Sequence, residues 1–131
     1  MATAKGSDPK SVVEAYVEDL NSGNAEAQAT LVAEDVDFEG EAPGRQAFKE
    51  RSEQSYAIRN DTFAAWSFTI DRVIVSGNDV AARLVLAVTL KNGKELEVEG
   101  MLMGTVKDGQ FTWLATSLDA EDYLAILMLD Q

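Results

Sequence analysis

The sequence predicts an α+β domain, with helices first and a meandering antiparallel sheet second, the helices covering one face of the sheet. Two observations carry this. Apolar residues recur at helical spacing up to about Arg59, and after Asn60-Asp61 the period changes from 3.6 to 2. The β runs are separated by Gly77-Asn78-Asp79, Asn92-Gly93 and Asp108-Gly109, all strong turn signals.

Each element has its own signal. Met1–Ser7 is small and polar and reads as a disordered tail, leaving residues 8–131 as a single domain. Asp8-Pro9 supplies an N-cap followed by proline at the first helical position, where its missing N–H costs nothing. Val12, Val13, Tyr16, Val17 and Leu20 recur at helical spacing, and Asn21-Ser22-Gly23-Asn24 stops the helix. A second short helix is expected at about Ala25–Ala33, with Ala27, Leu31 and Val32 as its apolar positions. Val36–Gly40 alternates like a short strand, and Glu41-Ala42-Pro43-Gly44 is a loop. Arg45–Arg59 reads as a third amphipathic helix, with Ala47, Phe48, Ser52, Ser55 and Tyr56 toward one side. The β runs are Phe63–Val75, Val80–Leu90, Glu95–Val106 and Gln110–Leu118, and Asp119-Ala120-Glu121-Asp122 can cap a last helix, Tyr123–Leu129.

Burial costs constrain the register. A strict two-residue loop at Asn92-Gly93 would put Glu95, Glu97 and Glu99 on the face of Leu84, Leu86 and Val88, burying three carboxylates. A three-residue loop, Lys91-Asn92-Gly93, with Gly93 as a bulge avoids this and pairs Val88 with Leu96, Leu86 with Val98 and Leu84 with Gly100. At the next hairpin, a two-residue Asp108-Gly109 turn sets Val106 against Phe111, Gly104 against Trp113 and Leu102 against Ala115. The face expected to meet the helices then carries Ala82, Leu84, Leu86, Val88, Val98, Gly100, Leu102, Gly104, Trp113, Ala115, Ser117 and Asp119. The opposite face carries Arg83, Ala87, Glu97, Glu99, Thr112 and Thr116 around an apolar patch of Val85, Met101, Met103 and Leu114. Such a patch predicts a homodimer through the outer sheet face. A slip of one residue in the last hairpin would exchange Trp113 for Leu114 and remove Asp119 from the covered face.

Composition excludes several functions. The chain has 131 residues, 11 Lys and Arg against 23 Asp and Glu, a formal charge of −12, and neither His nor Cys. There is no zinc finger, disulfide frame, His-based triad or thiolate chemistry, so acid–base work falls to carboxylates, Tyr, Lys or bound water. The acidic balance argues against nucleic acid and against an anionic membrane surface. No apolar run approaches the ~18 residues of a membrane span, and Met1–Lys10 lacks the apolar stretch of a signal peptide, so a cytoplasmic protein is expected. No cofactor or metal is expected. Neither G-x-G-x-x-G nor G-x-x-x-x-G-K occurs, and Glu97 and Glu99 lack a third oxygen ligand.

The covered face mixes small residues (Ala82, Gly100, Gly104, Ala115, Ser117) with large ones (Trp66, Phe68, Trp113). Small residues beneath helices either let a helix approach closely or leave an apolar cavity. In a cavity the polar groups would be Tyr16, Tyr56, Ser117 and Asp119, the usual form of a small-molecule site. A carboxylate there could serve as a general acid or base. Asp119 has a second reading as the N-cap of the last helix, and Trp66 and Trp113 have a second reading as core aromatics.

The pieces Val12–Asn24, Leu31–Val36, Pro43–Phe48, Gly77–Arg83 and Asp108–Phe111 running on to Ser117-Leu118-Asp119 match a known pattern in order and spacing. Over about Val12–Leu127 the chain resembles the nuclear transport factor 2-like superfamily, in particular its SnoaL-like and ketosteroid isomerase-like branch. That resemblance implies a cone-shaped α+β barrel of the nuclear transport factor 2-like (cystatin-like) kind. It also implies a pocket between the helices and a curved antiparallel sheet, and frequent dimerisation. Members include isomerases, polyketide cyclases, dehydratases, epoxide hydrolases and non-catalytic binders. Tyr16 falls at the oxyanion-hole tyrosine of ketosteroid isomerases, and Asp119 at the strand-end acid/base aspartate of SnoaL-like cyclases. The general-base aspartate of a ketosteroid isomerase is replaced by Gly40, between Glu39 and Glu41, and its protonated aspartate by Leu102, so steroid isomerisation is not expected.

The expected protein therefore binds or transforms a mostly apolar, carbonyl-containing small molecule. Asp119 would move a proton α to the carbonyl while Tyr16 stabilises oxyanion charge, with Tyr56, Trp66, Trp113, Ser117 and Leu102 around the substrate. A non-catalytic ligand-binding or dimerisation module is the alternative, and an adaptor presenting its outer face is a third reading.

Overall fold

Proline at position 9 opens the first helix, α1 (Pro9–Ser22), after Asp8 in extended backbone. The helix closes on Gly23 at φ 69°, with the N–H groups of Gly23 and Asn24 donating to Leu20 and Asp19 carbonyls, a glycine-terminated C-cap. The computed structural model describes residues 7–118. Asp119, the helix expected over Tyr123–Leu129, and Met1–Gly6 of the expected tail lie outside the described residues.

Asn24 caps α2 (Ala25–Ala29), its Oδ1 accepting from the Ala27 N–H at 3.0 Å. The helix expected to reach Ala33 stops earlier, because Val32 already belongs to β1 (Val32–Phe38). Strand pairing outweighs local helical spacing here: the Phe111 N–H donates to the Leu31 carbonyl at 2.8 Å, and Val32 and Val36 become fully buried. A loop ending at Gly44 (φ 99°) leads into α3 (Arg45–Thr62), three residues longer than Arg45–Arg59.

The sheet follows as β2 (Ala65–Ser76), β3 (Asp79–Thr89), β4 (Glu95–Lys107) and β5 (Gln110–Leu118). Its order is β1-β5-β4-β3-β2. Strands β2 to β5 form the antiparallel meander, but β1 joins β5 in parallel, with Val32 opposite Phe111 and Phe38 opposite Leu114. The sheet is thus mixed, and it is open, with β1 and β2 at its edges, not closed into a barrel.

The hairpin at Gly93 has the expected three-residue loop: Leu90 donates to the Lys94 carbonyl at 2.7 Å and Gly93 sits at φ 90°. Val88, Leu86 and Leu84 face Leu96, Val98 and Gly100, and Glu95, Glu97 and Glu99 are exposed. At Asp108 (φ 52°) and Gly109 (φ 77°) both turn residues are left-handed, and Val106 pairs with Phe111 as expected.

Beyond that pair the register differs. A bulge at Thr112 sets Thr105 opposite Trp113, Gly104 opposite Leu114 and Leu102 opposite Thr116. Leu114 is therefore core, with no exposed surface, and does not belong to the outer patch. Thr116 also changes face, while Trp113 and Ala115 move to the outer side and Ser117 sits exposed at the strand end. The exchange is favourable on both sides. Leu114 gains full burial, and the half-buried Trp113 keeps its indole N–H satisfied by Glu39 at 3.1 Å.

Helix α1 crosses β2, β3 and β4, and α3 lies against α2, β1 and β2. Asn21 does more than end α1. Its Nδ2 donates to the Phe68 carbonyl at 2.8 Å and its Oδ1 accepts the Phe68 N–H at 2.6 Å. One side-chain amide thus stands in for a neighbouring strand on edge strand β2.

Two substitutions check this register by urea unfolding. Leu114→Ala is expected to cost about 2–5 kcal/mol as a core truncation. A Cβ at Gly104 would lie 2.6 Å from Phe111 Cδ1 and 2.8 Å from the Trp113 carbonyl oxygen, so Gly104→Ala is expected to cost about 1–3 kcal/mol by overpacking.

Candidate functional site

A cavity of about 270 Å³ lies between α1, α3 and the sheet. Leu84 and Leu102 come from the sheet, Leu20 from α1, and Phe38 and Phe68 from β1 and β2. The small residues of the sheet are not what leaves it open. A Cβ at Gly100 would meet Leu118 Cδ2 at 2.8 Å, and one at Gly104 would meet the Phe111 ring, so these glycines admit neighbours and are already filled. The space arises under α3 instead, where Arg51, Ser52, Ser55 and Arg59 fall on one helical face and all line the cavity. Two short serines in place of large apolar residues leave room between the helix and the sheet.

Of the residues expected at a site, Tyr16, Leu102 and Ser117 line this cavity. Tyr56 and Trp66 stand behind it. Their rings stack 6.2 Å apart at 16°, and the Arg59 guanidinium carbon lies 5.4 Å from the Tyr56 centroid and 4.5 Å from that of Trp66. With Phe68 at 5.5 Å, three rings hold the cation that borders the cavity. Trp113 is on the other side of the sheet, where the bulge puts it. Asp119 lies outside the described residues.

Three polar wall residues were not singled out in the sequence: Gln28, Arg51 and the Arg59 just described. Gln28 on α2 is 1% exposed, its Oε1 accepts a hydrogen bond from the Tyr56 hydroxyl, and its side chain lies close enough to the Tyr16 hydroxyl to lower its pKa. The only sequence signal was a lone amide in Ala-Glu-Ala-Gln-Ala, between alanines 25 and 29, which are buried. Arg51 pairs with Glu41 and donates from Nη1 to Ser55 Oγ at 2.6 Å; its signal was a basic residue next to Ser52 and one turn before Ser55, both on the covered side of α3.

The electrostatics make Tyr16 a donor. Burial raises its pKa far above the ordinary tyrosine value, further than the Gln28 hydrogen bond and the Arg59 charge lower it, and the neighbouring Tyr56 adds to the rise. Tyr56 is pushed up to about 12, again by burial, with Arg59 opposing and Asp19 reinforcing. Both hydroxyls stay neutral at working pH. Among the described residues, the lining includes two guanidinium groups and no carboxylate. This wall can bind an oxygen and stabilise negative charge on it; a general base has to come from elsewhere.

Fold and site together define the class. The SnoaL-like domain pattern matches residues 13–114, and the chain belongs to that family, within the nuclear transport factor 2-like superfamily. Among solved structures it is similar to IdmH from Streptomyces antibioticus, at 24% identity and TM-score 0.76 over 92% of this chain and 98% of that one. A SnoaL-like polyketide cyclase from Agrobacterium tumefaciens is 18% identical, with TM-score 0.74 over 92% and 98% of the two chains. TsrD from Streptomyces laurentii is 15% identical, with TM-score 0.74 over 96% and 95%. At these identities the likeness is one of fold. No curated protein matches the sequence.

The raised tyrosine pKa values set an alkaline limit. The neutral hydroxyls are favoured in the folded state, so their contribution is complete below the ordinary tyrosine pKa of about 10 and falls as pH rises toward the folded values. Stability measured by urea unfolding is expected to decline between pH 10 and about 12, less steeply in Tyr56→Phe than in wild type. An equal decline in both would remove Tyr56 as its source.

Proposed function

We propose that the cavity binds a small, mostly apolar metabolite through a carbonyl group, with the Tyr16 hydroxyl as hydrogen-bond donor. The observation that carries this reading is a buried, neutral tyrosine hydroxyl on the wall of an apolar hollow of about 270 Å³. That volume is close to the ~300 Å³ lower end of ligand pockets, so the enclosed part of the ligand is one or two rings and not a steroid or a four-ring polyketide. If the ligand is turned over, the reaction is acid–base chemistry of the isomerase or cyclase type. Tyr16 then stabilises an enolate, and Asp119, next in sequence to Leu118 on the cavity wall, exchanges the proton α to the carbonyl. The similar Agrobacterium protein is named as a polyketide cyclase, which fits such a role. Non-catalytic binding is the second reading, favoured by the lack of a carboxylate among the described lining residues.

The protein is further proposed to be a cytoplasmic homodimer. On the outer sheet face Met101 and Met103 are 39% and 44% exposed, Met103 pairs with Ala115, and Val85 lies in the adjoining strand. An apolar face of this kind is covered in the simplest way by a second copy. No helix among the described residues is long and apolar enough to cross a membrane.

Methyl 2-naphthyl ketone, a two-ring carbonyl probe, tests the cavity by calorimetry. Tyr16→Phe is expected to weaken binding roughly two- to tenfold, the worth of one neutral hydrogen bond, and Ser52→Phe, which fills the hollow, to abolish it. Unchanged affinity in both variants would refute the site. For the dimer, sedimentation should give twice the chain mass for wild type and a monomer for Met103→Lys; a monomeric wild type would overturn it.

A further inference from the structure

Gln28 is 1% exposed and lines the cavity together with Tyr16. A primary amide has an acceptor oxygen at one end of a rigid plane and, at the other, a nitrogen with two N–H donors. The oxygen end is committed, because Oε1 accepts from the Tyr56 hydroxyl on α3. Tyr56 is itself fixed by its stack on Trp66, 6.2 Å away, so the amide cannot turn over without losing that hydrogen bond. Nε2 is the end left for the cavity, and it makes no hydrogen bond with a described residue. The pKa of Tyr16 agrees with this orientation: Gln28 lowers it, as a nearby N–H does and a carbonyl oxygen does not. Tyr16 is held on the same wall, its ring edge-on to Phe111 at 5.7 Å and tilted against Phe48 at 6.3 Å. A deeply buried amide with an unused donor is costly unless a partner reaches it, and the hollow is where a partner can enter.

We infer that Gln28 is a specificity residue: its Nε2 donates to the ligand oxygen that Tyr16 also binds, and so selects a ketone over the corresponding alcohol. This rests on the cavity being a small-molecule site, as proposed above, and adds the oxidation level of the ligand to that reading. A carbonyl oxygen accepts from two donors and has nothing of its own to donate. An alcohol in the same place also accepts, but its O–H then needs an acceptor, and the Gln28 oxygen already takes the Tyr56 hydrogen. A hydroxyl left unpaired in an apolar space disfavours the alcohol. Tyr56 is a positioning residue here: without its hydroxyl the amide can turn and offer Oε1 to the cavity.

Two probes of one shape make the test: methyl 2-naphthyl ketone and 1-(2-naphthyl)ethanol, titrated calorimetrically into the full chain at neutral pH. The ketone is expected to bind about fivefold or more tightly than the alcohol. Gln28→Met, similar in length but without an N–H, should weaken the ketone roughly two- to tenfold and leave the alcohol within about twofold of wild type. Tyr56→Phe should narrow the preference from the other side, by strengthening the alcohol. The infrared carbonyl stretch of the bound ketone is a reading that a merely structural role would not move, and it should rise in Gln28→Met as one hydrogen bond is lost. If Gln28→Met fails to fold by circular dichroism, the wild-type ratio and Tyr56→Phe decide the matter. Equal affinity for the two probes in the wild type, or equal weakening of both in Gln28→Met, overturns the inference and leaves the cavity reading intact. Failure of both to bind removes the cavity reading and the inference together.

Discussion

Phe111 and Leu114 are three residues apart on one strand, and both are fully buried on the same side of the sheet. Strict alternation would send them to opposite faces. The bulge at Thr112 reconciles them, and much of the molecule depends on it. It turns Trp113 outward to Glu39, brings Thr116 and Leu118 to the cavity side, and lets Leu118 fill the space above Gly100. It also sets which side chains β5 presents to β1, since Phe38 pairs with Leu114 and Asp37 with Trp113. The outer face, the floor beneath α3 and the docking of the parallel strand all follow from one extra residue.

The second constraint is polar. The interior buries Gln28 completely and places Arg59 on three aromatic faces. Groups of this kind are costly to bury unless their partners are fixed. Here Gln28 accepts from the Tyr56 hydroxyl, and the rings of Tyr56 and Trp66 position the cation. Tyr56 and Trp66 thus act on the site without bordering it, as supports for a residue that does. A hollow walled by Leu84, Leu102 and Phe68 on one side and by serines and arginines on the other is the outcome.

Much of the fold was legible in the chain. The change of period after Asn60-Asp61 separated helices from strands, Pro9 and Gly23 marked the ends of α1, and the cost of burying Glu95, Glu97 and Glu99 was enough to choose a three-residue loop at Gly93. At the site, Tyr16, Leu102 and Ser117 were legible as residues near a covered face. Gln28 and the two arginines were not, because an isolated amide in an alanine-rich helix and basic residues on an amphipathic one look like solvated positions.

By itself, then, the sequence determined the order and type of the described elements, the register of the hairpin at Gly93 and the absence of histidine and cysteine chemistry. These depend on neighbours along the chain or on composition. The tertiary structure alone decided the parallel pairing of β1, the bulge in β5 and the position of the cavity. Each of these arises between groups far apart in sequence, Gln28 with Tyr56, Asn21 with Phe68, Glu39 with Trp113. Their competition for burial and hydrogen bonds is resolved only when the layers meet, and no local period carries a record of it.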